Sequence, residues 1–433
     1  MNGGFTHTRL KNGVNVYVHA TGKFKTHTVR VFIHNPLSRG TATRVALIPA
    51  ILRRGCAGLE TTKDISRHLD NMYGARFDSG VFKLGESQVI QLGIELPNPR
   101  FLGVREDLIA RGLDFLKRVL FEPVTSGGSG GRSFREEYIE QEKDVLSREI
   151  AAIINEKSRY AIIRCVQEMF SGEPFGIHEM GFLEDIPGID GPGMFELYRS
   201  IMDRNPIDVC VVGDVDEAAV LDLVARSFAC AAQRTAARGK TPPASEAAEP
   251  RYVIERQAVN QGKLCLGYTF DNNGADDLYP MMFYDGVFGG FVHSKLFVNV
   301  REKASLAYYA SSVLNPVKGF LLVTSGIDVD RYERALDIIR KQADDIRGGD
   351  VSQSEMEFTR KALINRLRSW EDSAGSRIAS FLEMQAMGNV QALEERIDAI
   401  NSVTRDQVIE AAQKVRLHTV YFLTNKGGGI HAS

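Results

Sequence analysis

Two carboxylates seven residues apart, Glu142 and Glu149 in EEYIEQEKDVLSREIAAIINEKSRYA, have a spacing suited to cation chemistry. The segment is strongly helical, and seven steps of about 100° bring both side chains to nearly the same face, about two turns apart. Such a pair reads first as a solvated acidic stripe. Leu146, Ile150 and Ile153 make an apolar stripe beside it, which allows partial burial. By itself a carboxylate pair is a poor zinc site.

Other donors do not complete a site. His7, His19, His27, His34, His68, His178, His293, His418 and His431 form no i, i+4 pair and no HxH, so each reads as a surface or satisfied core histidine. There is no GxSxG and no Cys-His motif in a recognisable context, which leaves an autonomous hydrolase with another nucleophile without support. Cys56, Cys165, Cys210, Cys230 and Cys265 are odd in number and lack CxxC spacing. They read as reduced thiols in a cytosol rather than as a disulfide framework or a cysteine-zinc site. TSGGSGGRS at 125–133 superficially resembles a phosphate loop, but Ser126 and Arg132 stand where that motif needs glycine and lysine. It reads as a flexible connector.

The 433 residues, 43% hydrophobic and 25% charged, supply a large core and two or more domains. A net charge of -2 offers no field for nucleic acid or anionic lipid. The N-terminus MNGGFTHTRLKNG has no signal-peptide core, and no window reaches the roughly 20 apolar residues of a membrane span. A soluble, cytoplasmic protein is expected, without nucleic-acid or membrane partners.

These residues need elements to hold them. AAQRTAARGKTPPASEAAEP, at 231–250, has linker composition, so the expected organisation is an N-terminal domain over 1–230, a linker over 231–250 and a C-terminal domain over 251–433. IDGPGMFELYRSIMDRNPIDVCVVGD and INSVTRDQVIEAAQKVRLHTVYFLTN each give a capped amphipathic helix, a turn and an apolar strand. An offset of 211 pairs Val209 with Val420 and Val211 with Phe422, which favours a duplicated domain. Thr61 and Asp64 have capping-box spacing, Ile65, Leu69 and Met72 share a face, and Gly74 suits the stop. Alternation over Ala75–Val81 and Ile90–Leu96, with KLGES between, predicts a hairpin. Helical patterns follow over about 104–120 and 134–170. The expected class is α+β, two similar domains each with an antiparallel sheet packed on helices.

With Glu142 and Glu149, the stretches LDNMYGARFDSGVFKLGESQVIQLGIELPN and, above all, LFVNVREKASLAYYASS resemble the pitrilysin/insulinase, or M16, family of zinc peptidases. The resemblance covers essentially the whole chain. Active members carry HxxEH on a helix before a glycine: the histidines bind zinc, the glutamate activates water, and a later glutamate completes the site. Setting Gly55 on that glycine puts Ala46, Pro49 and Ala50 at the His, Glu and His positions, Glu149 at the third ligand and Glu142 at its supporting carboxylate. The metal site is degenerate, so no metal is expected on this chain. Pro49 also costs a helix interior about 3 kcal/mol or more, so an intact ligand platform is not expected.

The resemblance further implies that Arg301 and Tyr308 hold the substrate backbone and the developing oxyanion, since a guanidinium and a phenol both donate hydrogen bonds. The alternative is that Arg301 pairs with Glu302 or Asp285 and Tyr308 merely starts a strand. Losing the metal half while keeping the clamping half implies a non-catalytic subunit of a heterodimeric peptidase. Its partner would be a homologous subunit with an intact HxxEH and the zinc, its substrate a peptide or small protein; a homodimer is the other assembly considered. The competing reading is a non-enzymatic peptide-binding or scaffold protein on the same fold.

Overall fold

The computed structural model describes residues 3–128, 131–236, 238–245, 247–271 and 275–425; His431 lies outside them. The chain forms two compact units. One comprises Met1–Ala151, Ile177–Lys240 and Ser373–Ala379, the other Ala152–Gly176, Thr241–Asp372 and Ser380–Ser433.

In the first unit the strands are β1 (Thr6–Arg9), β2 (Asn15–Ala20), β3 (Thr26–Pro36), β4 (Arg76–Leu84), β5 (Ser87–Pro97), β6 (Thr125–Gly128), β7 (Gly131–Phe134) and β8 (Ile207–Gly213). Six of them make a sheet in the order β1-β2-β8-β3-β5-β4, antiparallel except for β2 beside β8. β8 reads IDVCVVG and is buried at every residue, as a central strand covered by neighbours must be. The helices are α1 (Ala42–Leu52), α2 (Thr62–Asp70), α3 (Pro99–Leu102), α4 (Leu108–Phe121), α5 (Glu136–Ile153), then, after a segment of the second unit that holds α6 (Lys157–Met169), α7 (Gly191–Arg204) and α8 (Glu217–Ser227).

The second unit adds β9 (Arg251–Arg256), β10 (Gly262–Thr269), β11 (Ala307–Asn315), β12 (Phe320–Ile327) and β13 (Arg416–Thr424), in the order β11-β12-β10-β13-β9. Its helices are α9 (Ala275–Asp285), α10 (Tyr332–Arg347), α11 (Gln353–Trp370), α12 (Ala374–Ala386), α13 (Leu393–Ser402) and α14 (Arg405–Lys414), with π-helical turns at Gly286–Gly290 and Phe297–Lys303. The first seven residues of α12's neighbourhood, Ser373–Ala379, group with the first unit.

The two sheets repeat one topology. β2-β8-β3-β5-β4 and β9-β13-β10-β12-β11 have the same chain order, and in each the first pair alone is parallel. Val209 lies between Val16 and Val31, and Val420 between Tyr252 and Leu266, in equivalent positions. The class is α+β with a duplicated plan.

Local expectations meet the structure in detail. Thr61 and Asp64 close a capping box on α2, and Tyr73 and Gly74 both take positive φ, 58° and 76°, to turn the chain into β4. β4 and β5 pair with only Gly85 and Glu86 between them. The long helix over 134–170 is broken, because the Asn155 and Glu156 N–H groups fold back onto the Ala152 and Ile153 carbonyls. α6 then packs on β10 and β13, burying Cys165, Met169 and Phe170 with Cys265, Phe320 and Tyr421.

Two connector readings are modified. The glycine-rich stretch is not a loose connector: Thr125 pairs with Phe134 and Gly127 with Arg132 in a short hairpin anchored by buried Phe134. The described residues of 231–250 take no regular structure yet are bonded down. Within the first unit the Arg234 N–H donates to Asn12 (2.8 Å) and Arg238 pairs with buried Asp208, while within the second the Ala244 N–H donates to Lys318 (2.8 Å).

Candidate functional site

α1 carries Ala46, Pro49 and Ala50, the positions that the family resemblance aligns with metal ligands, and it is an unbroken helix through Pro49, contrary to the expectation of a disrupted platform. Pro49 removes one donor, the bond to the carbonyl four residues back. Its own carbonyl still accepts from the Arg53 N–H (3.2 Å) and from Ser79 Oγ (3.1 Å). Val45, Leu47, Ile48 and Ile51 bury the surrounding turns in the first core, and that packing outweighs the lost bond. Ala46 and Pro49 are buried and Ala50 is half-buried; none offers a ligand atom.

Gly55 follows because nothing larger fits: a Cβ there would lie 2.4 Å from the Glu60 carbonyl oxygen, where the chain doubles back through the Cys56–Leu59 bridge. Just before it, Arg54 Nε donates to Glu142 Oε1 on α5. Glu142 is 5% exposed, and Arg54 balances its charge. Glu149, two turns on, is exposed and makes no ion pair among the described residues. The seven-residue spacing therefore aligned two carboxylates of which the packing covers one. Zinc does not fit this donor set: two alanines and a proline contribute nothing, and one carboxylate belongs to an arginine. No group of three or more His, Cys, Asp or Glu side chains able to hold a metal occurs among the described residues.

Arg301 and Tyr308 lie in the second unit. Arg301 projects from the π-helical turn Phe297–Lys303, with its guanidinium 4.5 Å from the centre of the Phe297 ring. It pairs with neither Glu302 nor Asp285, and no carboxylate among the described residues lies within 4.0 Å of it. Asp285 is occupied elsewhere, accepting from Ser312 Oγ (2.5 Å) while burial pushes its carboxyl up to about 6 against the opposing pull of Ser312 and Arg366. The Leu306 N–H donates to the Val300 carbonyl (3.1 Å), which folds the turn against the start of β11. Ser305 takes a positive φ of 50° there, and Arg331 donates to its carbonyl. The β11–β12 register slips between Ala307 and Tyr309, so Tyr308 stands out of the ladder, 68% exposed and without a hydrogen-bond partner among the described residues.

Sequence reasoning missed Arg54, Phe297, Ser305 and the Asp285–Ser312 bond. A signal for Arg54 was present in the basic pair before Gly55. The others depend on side chains brought together by folding.

Three comparisons bear on this arrangement. Residues 194–363 match the family described as Peptidase M16 inactive domain. The chain is 35% identical over 418 residues to the probable inactive metalloprotease YmfF of Bacillus subtilis, covering 96% of this chain and 97% of that one. Its fold is similar to that of a conserved protein from Enterococcus faecalis V583, with TM-score 0.87 and 28% identity over 99% of this chain and 100% of the other. A peptidase M16 inactive domain from Pseudomonas fluorescens shares the fold at TM-score 0.81 and 16% identity, with coverage of 99% and 100%.

Proposed function

The chain belongs to the M16 peptidase family, and we propose that it is a non-catalytic subunit that pairs with a zinc-bearing homologue and helps it to cleave peptides. One contrast carries the proposal. The positions that the resemblance aligns with metal ligands hold Ala46, Pro49 and Ala50, while Arg301 and Tyr308 keep side-chain donors exposed on the surface of the other unit. A guanidinium and a phenol with no hydrogen-bond partner among the described residues are available to a carbonyl oxygen as it becomes negative, and such donors act most strongly in the transition state. Five unpaired cysteines support a reducing, cytoplasmic setting.

The test is steady-state kinetics of the reconstituted pair. Tyr308→Phe keeps the ring and removes one donor, so kcat should fall by about 10²- to 10³-fold with little change in KM. Arg301→Lys should also fail, because lysine lacks the planar fork. Unchanged kcat in both variants, with assembly intact, would remove this chain from the chemistry. That result would favour the second reading, a binding or scaffold protein without cleavage, which the name of the Bacillus relative also suits.

A further inference from the structure

β11 is an edge strand with unusual composition. Four strands end the two large sheets. β1 carries Arg9, β4 carries Arg76, Asp78 and Lys83, and β9 carries Arg251, Glu255 and Arg256. β11, AYYASSVLN, has no charge and no proline along nine residues. Charges and prolines are the usual means by which an edge avoids pairing with other chains. Here they are absent, and the strand instead exposes Tyr308 and Val313, at 68% and 64%. Tyr309, Ser311 and Val313 share one face, suited to the small and β-branched side chains of an added strand.

Among the described residues, the cations near this edge that lack a carboxylate partner, Arg301 and Lys303, share one turn at one end. The Leu306–Val300 bond sets the turn bearing Arg301 beside the first residues of β11. A strand added antiparallel runs opposite to β11, so its C-terminal end lies at that same place. We propose that β11 takes up an extended peptide as a sixth, antiparallel strand, with the peptide's free C-terminal carboxylate against Arg301. Main-chain hydrogen bonds would supply much of the affinity and the guanidinium would select the terminus, a charge-assisted contact. Charge complementarity disfavours a second copy as the occupant. Antiparallel pairing of two β11 strands brings Asn315, Pro316, Val317 and Lys318 towards Arg301, and none of these is acidic. The inference rests on the reading that Arg301 and Tyr308 hold peptide, and it names the class of peptide: one presenting its own C-terminus.

Fluorescence anisotropy of the purified full-length chain, without any partner, tests this. The probe is the fluorescein-labelled heptapeptide TVSVTVV as the free acid, as the C-terminal amide, and as a free acid N-methylated at alternate residues. The free acid is expected to bind at least about 10-fold more tightly than the amide. Arg301→Gln should erase that difference by weakening the acid alone, and alternate N-methylation should abolish binding. Equal binding of acid and amide overturns the proposal while leaving the clamp reading to its own kinetic test. Binding insensitive to N-methylation overturns the added strand. Absence of binding, or its loss as the chain dimerises at higher concentration in sedimentation runs, overturns it too.

Discussion

The Arg54 guanidinium at the end of α1 bonds the buried Glu142 carboxylate of α5, so the one covered acid near the degenerate motif already has its counter-charge. Restoring ligands on α1 would not by itself restore a site. The variant Ala46→His/Pro49→Glu/Ala50→His should bind zinc weakly in chelator competition, because the groups that orient imidazoles and typically matter by about 10- to 100-fold are not in place. Wild-type chain dialysed against trace zinc should retain none by metal analysis. One tightly held zinc, lost in Glu149→Gln, would contradict this.

Removing Arg54 strands a charge. Arg54→Leu should cost about 2–4 kcal/mol in urea unfolding, as breaking a buried pair does, and Arg54→Leu/Glu142→Leu should recover much of the loss. A double variant as unstable as the sum of the two single ones would mean that the residues do not interact.

Ser305 occupies the left-handed region, with φ 50°. For a residue with a Cβ that conformation costs about 1–2 kcal/mol, which glycine avoids at some cost in unfolded-chain entropy. Ser305→Gly should therefore raise the free energy of unfolding slightly, by about 0.5–1 kcal/mol, and Ser305→Val should lower it. A destabilised glycine variant would show that the hydroxyl contact to the Glu302 carbonyl outweighs the strain.

Burial pushes Asp285 up from 3.8 to about 6 in the folded protein. In the unfolded chain the carboxyl ionises near 3.8, so between that pH and about 6 the folded state binds more protons and stability falls as pH rises. The contribution is fully present below pH 3.8 and lost above about 6. Asp285→Asn should abolish this dependence, stabilising the chain at pH 7 by an amount on the order of 2 kcal/mol and leaving it nearly unchanged at pH 4. Parallel wild-type and variant stability curves across that range would show that Asp285 is not the titrating group.

α6 precedes the proposed linker in sequence but packs on β10 and β13. A fragment of residues 1–230 should therefore expose Cys165, Met169 and Phe170 and aggregate or bind a hydrophobic dye. A monomeric, cooperatively unfolding 1–230 fragment would show that this packing is dispensable.

Residue types and short periodicities were enough to read the α+β class, the repeated helix–strand ends at Val209 and Val420 and the Thr61 cap, while the family resemblance aligned Ala46, Pro49 and Ala50, which lack ligand atoms, with metal-ligand positions. Each is a local property: a cap is closed within four residues, a strand alternates or runs apolar within its own length, and a missing imidazole needs no fold to be missing. The course of α1 through Pro49 was decided by tertiary structure, because burial of Val45, Leu47 and Ile48 exceeds the cost of one absent bond. So were the different fates of Glu142 and Glu149, which share a helical face but not a neighbour. The break at Asn155, the transfer of α6 to the second unit, the bulge that turns Tyr308 outward and the bare edge of β11 likewise depend on partners far along the chain. Helical angle and strand period say which residues align; only packing against distant segments decides which of the aligned residues is covered, paired or left facing solvent.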